Sequence, residues 1–271
     1  MPTMKLYQNG TSAYMGGVGT HKRAKRGLVT GWTAASARRQ TRWLWTVDAP
    51  ALSGSGYALT LTLKDTPETA AEFHALRRAW VKRLERMGST RVHWVIEWQR
   101  RGTPHLHAAA YFDRVLSDKE RTMLVGHWIQ VAHAFSPEIF GQDVEDIRGP
   151  MGWLKYLSKH ASRGVNHYQR DGHPESWDRT GRLWGASGNW PVIEPVVIDE
   201  LANWEFYRVR RLMRAWAFAD ARKAGDVRRM KFLRQSIRAA DERKSRFQGA
   251  AEWIPESVAL RLVEFLREEQ R

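Results

Sequence analysis

A β-hairpin predicted near the middle of the chain constrains the fold more than any other feature. Residues 105–112 follow the period-two pattern of a strand with one buried face. Residues 91–99 form the preceding strand, and the intervening residues 100–104 contain Gly102 and Pro104, which favour a turn. The sequence therefore predicts two antiparallel strands side by side, and side chains from both strands share each face.

Two histidines lie on one face of the second strand. Period-two alternation puts the apolar residues on one face and His105 and His107 on the other. Closing the hairpin brings Glu97 opposite them, because cross-strand neighbours lie about 5 Å apart. Two imidazoles and a carboxylate suit a divalent cation such as Mg²⁺ or Mn²⁺, and Zn²⁺ would fit too. The alternative is a pair of histidines on a polar sheet face that holds no ligand.

A strand and a helix are predicted before the hairpin. Residues 57–64 alternate apolar and polar side chains, which indicates a half-buried strand. Asp65 or Thr66 then caps a helix that has Pro67 in its first turn and ends at Gly88. Its apolar residues recur at spacings of three and four, so one face packs on the sheet and the exterior is basic.

Two helices and a strand are predicted after the hairpin. Ser117 and Glu120 form a capping box that begins a second helix. Residues 143–147 form a short strand, and residues 150–163 form a further helix. This order of elements predicts an α+β fold, with an antiparallel sheet of about five strands and helices on one face. The other face is then free to hold a site.

The chain divides into three predicted regions. Residues 1–50 form a basic, flexible arm, because no acidic residue precedes Asp48 and the basic residues lie among Gly, Ser and Thr. Residues 51–195 form one folded domain, which contains the predicted sheet and the candidate metal ligands. Residues 196–271 form a mostly helical C-terminal region with basic faces.

The formal net charge of +15 favours a polyanionic partner. Nucleic acid is the first candidate, and an acidic membrane surface is the alternative. We expect a cytoplasmic protein, since the chain has no long apolar segment and no secretory signal. The absence of cysteine means that any metal must be bound by His, Asp or Glu.

Tyr156 is a candidate nucleophile on the helix predicted over residues 150–163. It shares a helix face with Lys159, His160 and Arg163, at spacings of three, four and seven. A phenol with a pKa near 10 is a poor nucleophile at neutral pH, so it needs a neighbouring positive charge, which Lys159 could provide. The alternative is a tyrosine that packs at the edge of the core.

Together these residues resemble the HUH family of single-strand endonucleases. Residues 59–62 look like the family's first motif, residues 101–107 look like its metal motif, and residues 155–159 look like its nucleophile motif. They occur in the order expected of rolling-circle replication initiators of plasmids or single-stranded DNA phages. Glu97, eight positions before His105, matches the place where such initiators often have a third metal ligand.

The resemblance implies a reaction and a substrate. With a metal held by Glu97, His105 and His107, Tyr156 attacks a phosphate of single-stranded DNA or of an origin hairpin. A 5′-phosphotyrosine forms and a free 3′-OH is released, while Lys159 stabilises the charge that develops. Position 160 is His, so the enzyme has a single tyrosine nucleophile.

The same resemblance suggests DNA contacts and partners. Arg100, Arg101, Lys155 and Arg163 are candidates for binding phosphates. The sequence lacks the glycine-rich loop of a P-loop helicase, so a host helicase and a host polymerase are the expected partners, in the cytoplasm of a bacterial host.

Other classes of protein remain possible at this point. A transposase of the same family or a noncatalytic nucleic-acid binder would also explain the charge. A histidine-triad nucleotide hydrolase would need a third histidine where Ala109 stands, and an iron oxygenase would need a carboxylate where His107 stands. Both of these enzyme classes are disfavoured.

Overall fold

The structure is a computed structural model, and it describes residues 1–15, 27–149, 152, 167–238 and 249–269. The strands are β1 (Pro2–Tyr7), β2 (Gly10–Met15), β3 (Ser55–Leu61), β4 (Ser89–Trp98), β5 (Pro104–Phe112), β6 (Asp143–Ile147), β7 (Trp184–Gly188), β8 (Val196–Ile198) and β9 (Ala250–Glu252). The helices are α1 (Ala34–Thr46), α2 (Ala70–Arg86), α3 (Asp118–Val131), α4 (Asn203–Lys223), α5 (Val227–Arg238) and α6 (Glu256–Glu268).

The chain forms two compact units. One takes its residues from Met1–Arg23, Trp45–Val47 and Val192–Arg271, and the other takes its residues from Ala24–Leu44 and Asp48–Pro191. We call them the terminal unit and the central unit. No helix in the described part of the chain is long and apolar enough to cross a membrane.

The central unit contains a five-stranded sheet with the order β6-β3-β5-β4-β7. Every neighbouring pair is antiparallel. The predicted hairpin is present as β4 and β5, and the predicted strand at residues 143–147 is the edge strand β6. The α+β class predicted from the sequence is therefore confirmed.

Helices α2 and α3 begin with capping boxes. Ser117 caps α3 together with Glu120, as the sequence predicts. Thr69 caps α2 together with Glu72, so this helix begins later than the predicted cap at Asp65 or Thr66. The prediction placed Pro67 in the first turn, but a Thr-x-x-Glu capping box lies two residues further on and determines where the helix begins.

The main core of the central unit lies between the sheet and these two helices. On the sheet side it contains the even-numbered residues of β5, such as Leu106 and Phe112. Phe73, Trp80 and Trp128 cover them from the helix side, and the Trp128 ring contacts each of the other two rings edge to face. This packing leaves His105 and His107 on the face away from α2 and α3.

The site face of the sheet is partly covered by α1, whereas the sequence suggested that it is free. Trp43 of α1 stacks on His93 of β4, with ring centroids 5.0 Å apart. Gln40, one turn earlier, is fully buried. The flexible arm predicted for residues 1–50 is therefore wrong for residues 34–46, because apolar residues at helical spacing give this basic segment a buried face.

The terminal unit contains a second antiparallel sheet, with the order β8-β1-β2-β9. Met4 and Leu6 of β1 are fully buried against Phe206 and Val209 of α4. Residues 1–15 thus form a hairpin within a core, which also differs from the predicted arm. The mostly helical region predicted for residues 196–271 is present as α4, α5 and α6, together with two short strands.

Candidate metal centre

The hairpin brings Glu97, His105 and His107 together. Glu97 and His105 are direct cross-strand partners, and His107 lies on the same face two residues along β5. One possible ligand atom from each of the three side chains lies within 4.8 Å of the others. All three residues are buried.

The distances between the ligand atoms are short. The Nε2 atoms of His105 and His107 lie 2.7 Å apart. Oε2 of Glu97 lies 3.6 Å from Nε2 of His107. Two ligands in adjacent positions around an ion, each at about 2.1 Å, are separated by about 3 Å. The donor set therefore fits a divalent cation bound by two imidazole nitrogens and one carboxylate oxygen, with further positions open.

Thr60 contacts the back of the His107 ring. It is the cross-strand partner of His107 in β3, and its Oγ1 lies 3.2 Å from Nδ1 of the imidazole. In the tautomer with Nδ1–H donating to this hydroxyl, Nε2 carries the lone pair that a metal needs. Thr60 belongs to the first motif of the family resemblance, but the sequence alone assigns it no role. The only signal for it is that Thr60 is one of the polar positions in an alternating strand.

Arg170 contacts Glu97 from the other side. Its Nε lies 3.4 Å from Oε1 of Glu97, and both side chains are fully buried. Nη2 donates to Oε1 of Gln40 at 3.4 Å, and the guanidinium carbon lies 4.0 Å from the centroid of the Trp32 ring. One carboxylate oxygen thus faces Arg170 while the other faces the histidines. The sequence holds no local signal for this pair, because its members are 73 positions apart.

Two of the four predicted DNA contacts lie in the turn between β4 and β5. Arg100 and Arg101 are exposed there. Arg101 donates to the main-chain carbonyl of Leu63, and the guanidinium of Arg100 lies 5.4 Å from the centre of the Tyr168 ring. Both arginines are thus at the same end of the hairpin as Glu97 and His105.

The predicted nucleophile and its neighbours lie outside the described residues. This holds for Tyr156, Lys159, Lys155 and Arg163. The structure therefore reports the geometry of the metal-ligand candidates and of Arg100 and Arg101, and the assignment of Tyr156 stays a prediction.

Tyr111 shares the face of β5 that carries His105 and His107. It lies four residues beyond His107, which corresponds to about 13 Å along a strand. Burial raises the pKa of its phenol well above the ordinary value, and the nearby Arg91 guanidinium offsets only part of that rise. A tyrosine that is both distant and hard to ionise is a poor candidate for the nucleophile.

Known proteins similar to this chain carry names that refer to replication. Residues 56–161 match the family model described as "Replication-associated protein ORF2/G2P". A protein of Xylella fastidiosa (strain Temecula1) named as a replication protein is 43% identical over 265 residues, which cover 93% of this chain and 99% of the relative. A second protein so named, from Xylella fastidiosa strain 9a5c, is 42% identical over 272 residues, covering 96% of this chain and 94% of the relative.

A phage protein is similarly close. The "Replication-associated protein G2P" of Pseudomonas phage Pf3 is 40% identical over 261 residues, which cover 95% of this chain and 93% of the phage protein. No solved structure matches the chain. Since these relatives are 40% to 43% identical over at least 93% of this chain, the chain belongs to the replication-associated protein ORF2/G2P family.

Proposed function

We propose that the protein nicks and rejoins single-stranded DNA to initiate rolling-circle replication. The observation that carries this proposal is the convergence of Glu97, His105 and His107 on one face of the central hairpin. Membership of a replication-associated family supports it. The names of the relatives refer to replication, which disfavours the transposase considered from the sequence.

Glu97, His105 and His107 would hold a divalent cation, Mg²⁺ or Mn²⁺. When bound, the cation supplies charge neutralisation at the scissile phosphate. Arg170 holds one oxygen of Glu97 and Thr60 orients His107, so the protein fixes the ligand atoms before DNA binds.

Tyr156 performs the covalent step in this proposal. The phenolate oxygen attacks the phosphorus atom in line, a bond from oxygen to phosphorus forms, and the bond from phosphorus to the 3′ oxygen breaks. The leaving 3′ oxygen takes a proton and becomes the hydroxyl that primes synthesis. Lys159, one helical turn from Tyr156 in the predicted helix, stabilises the phenolate and the charge on the phosphorane. Religation is the reverse reaction.

DNA binding in this proposal combines specific and distributed contacts. Arg100, Arg101, Lys155 and Arg163 contact phosphates near the scissile bond, and the net charge of +15 attracts the polyanion from further away. A host helicase would unwind the template and a host polymerase would extend the 3′-OH, in the cytoplasm of a bacterial host that carries the phage or plasmid.

A labelling experiment tests the proposal directly. The full-length protein is incubated with Mn²⁺ and labelled single-stranded circular DNA of the phage or plasmid that encodes it, and then analysed on a denaturing gel. We expect a covalent adduct of protein and DNA that forms with Mn²⁺ and is absent with a chelator. If the protein binds this DNA but forms no adduct with either Mn²⁺ or Mg²⁺, it is a noncatalytic binder.

A further inference from the structure

A basic cleft lies on the face of the central sheet opposite the metal centre. Its volume is about 480 Å³, and it is bounded by α2, by β4 and by the edge strand β7. Trp94 of β4 contributes to its floor, and by period-two alternation this residue lies on the other face of the strand from Glu97. Nothing in the proposed nicking reaction uses this cleft.

Four cationic side chains line the cleft: Arg77, Arg78, Lys82 and Arg182. Among the residues that the structure describes, none of the four has a carboxylate partner within 4.0 Å. The single acidic residue of the lining, Glu85, is exposed and makes no ion pair with them. Like charges gathered in this way repel one another, so the cleft favours an anion.

Arg77 is held in position at the centre of this cluster. Its guanidinium carbon lies 3.9 Å from the centroid of the Trp94 ring, a cation–π contact that fixes the side chain. Its Nε is buried and has no hydrogen-bond partner within the described chain. Burial, followed by the nearby charges of Arg78 and Arg182, lowers the pKa of Arg77 to about 10. The group is still charged at neutral pH, and an anion would relieve its unfavourable surroundings.

His74 forms a wall of the cleft and adds no positive charge. Its Nε2–H donates to the carbonyl of Thr180 at 2.9 Å, and burial lowers the pKa of the imidazole. The side chain is therefore neutral near pH 7, and its donor is already used. The anion must be bound by the guanidinium and ammonium groups.

We propose that this cleft binds the phosphate backbone of single-stranded DNA outside the nicking site. The geometry of the cleft supports an anion site, and the choice of DNA as the anion rests on the proposed function. A single strand is the form that fits, because it can pass around the edge of a sheet from one face to the other. A duplex, with a persistence length of about 50 nm, cannot make that turn easily.

A pair of matched double variants tests this proposal. Arg78→Gln with Lys82→Gln removes two exposed cations of the cleft, and Arg86→Gln with Lys119→Gln removes two exposed cations that do not line it. Both pairs lie on helices of the central unit, both lower the net charge equally, and Gln preserves helix propensity. Binding of a labelled oligomer of thirty thymidines is measured by fluorescence anisotropy at several salt concentrations.

We expect the cleft variant to bind about ten-fold more weakly at low salt, with a salt slope smaller by about 1.4, since each neutralised phosphate of a single strand contributes about 0.7. The control variant should keep nearly the affinity of the wild type. Equal losses in both variants would overturn the proposal, because charge alone would then explain them. Unchanged binding by the cleft variant would overturn it too.

The metal centre gives an independent readout. Both variants should bind Mn²⁺ with the affinity of the wild type in calorimetry, because the cleft lies on the opposite face from Glu97, His105 and His107. If the wild type forms no covalent adduct but the cleft variant still loses DNA affinity, the nicking proposal fails and the cleft proposal stands. If the wild type forms the adduct but the cleft variant keeps its DNA affinity, the nicking proposal stands and the cleft proposal fails.

Discussion

Arg170 and Glu97 form a fully buried ion pair, with Nε of the arginine 3.4 Å from Oε1 of the carboxylate. The other oxygen, Oε2, lies 3.6 Å from Nε2 of His107. Arg170 thus fixes the rotation of the carboxylate and leaves one oxygen available to a metal. Its own position depends on Gln40 and on the ring of Trp32. The geometry of the metal centre is therefore set by residues far apart in the sequence.

Replacing Arg170 should destabilise the fold. Arg170→Met leaves the Glu97 carboxylate buried without its cation, which costs about 3–5 kcal/mol of unfolding free energy in comparable pairs. Urea denaturation without metal measures this change. The double variant Arg170→Met with Glu97→Gln should lose less than the single variant, because no uncompensated charge remains. As a control, Arg121→Met breaks two solvent-exposed pairs, with Asp118 and Asp146, and should cost less than about 1 kcal/mol.

Metal should restore part of the stability that Arg170→Met loses, since a cation at the site compensates the same carboxylate. If urea denaturation gives equal stability for the wild type and Arg170→Met, the ion pair does not support Glu97.

Replacing both histidines should separate chemistry from DNA binding. His105→Ala with His107→Ala should abolish metal-dependent cleavage, because two of the three candidate ligands are lost. Affinity for single-stranded DNA should change by less than about two-fold, because phosphates are bound by arginine and lysine side chains, which both histidine substitutions leave in place. Calorimetry with Mn²⁺ and adduct assays check the two parts. His133→Ala, in an exposed segment, is the control and should behave like the wild type. Full nicking by the double variant in chelator would remove the metal hypothesis.

The sequence could predict the hairpin and its ligand candidates because both depend on local patterns. Period-two alternation and a turn with Gly102 are enough to put Glu97 opposite His105, and the observed register agrees. The capping box at Ser117 is equally local. The pair between Arg170 and Glu97 could not be predicted in this way, because nothing near either residue indicates the other.

The prediction for the N-terminal segment failed for a different reason. Its basic charge and its Gly, Ser and Thr content favour disorder, but residues 1–15 form β1 and β2 and bury Met4 and Leu6. One of its glycines is required by packing, because a Cβ at Gly10 would overlap the ring of Trp45. Composition described the average of the segment, whereas packing depended on a few apolar side chains.

Removing the hydroxyl of Thr60 should weaken metal binding without unfolding the protein. Thr60→Val keeps the shape of the side chain but loses the contact with Nδ1 of His107. Groups that orient metal-bound histidines typically contribute about ten-fold to a hundred-fold in metal affinity. Calorimetry with Mn²⁺ measures the change. Thr62→Val removes a hydroxyl that bonds to the carbonyl of Gly141 and should leave Mn²⁺ affinity unchanged. Equal affinity in the wild type and Thr60→Val would contradict this role.

Acid should destabilise the fold partly through His74. Burial lowers the pKa of this histidine in the folded state below its ordinary value of 6.5. His74 therefore binds a proton more readily in the unfolded chain than in the folded protein. Its contribution to the unfolding free energy is complete above about pH 6.5 and decreases as the pH falls. The unfolding free energy of the wild type should fall more between pH 7 and pH 5 than that of His74→Gln. The other histidines are common to both proteins and cancel in the difference. Parallel curves would contradict the prediction.

Tyr156→Phe should remove the covalent adduct and leave everything else in place. The change removes one oxygen atom, so the fold and the affinity for Mn²⁺ should not change, while the atom that attacks phosphorus is lost. Tyr111→Phe and Tyr168→Phe are the controls. Tyr111 is buried and its pKa is raised, whereas Tyr168 is 49% exposed and lies beside Arg100. Tyr168 is therefore the more serious alternative nucleophile.

Peptide mapping of the adduct decides between these tyrosines. We expect the label on Tyr156 in the wild type, and on no tyrosine in Tyr156→Phe. Label on Tyr168, or an adduct that persists in Tyr156→Phe and disappears in Tyr168→Phe, would move the nucleophile to the segment that also carries Arg170. In that case the class of enzyme would be unchanged, because the same metal centre would serve either phenol. An adduct that no tyrosine substitution removes would exclude a phosphotyrosine intermediate altogether.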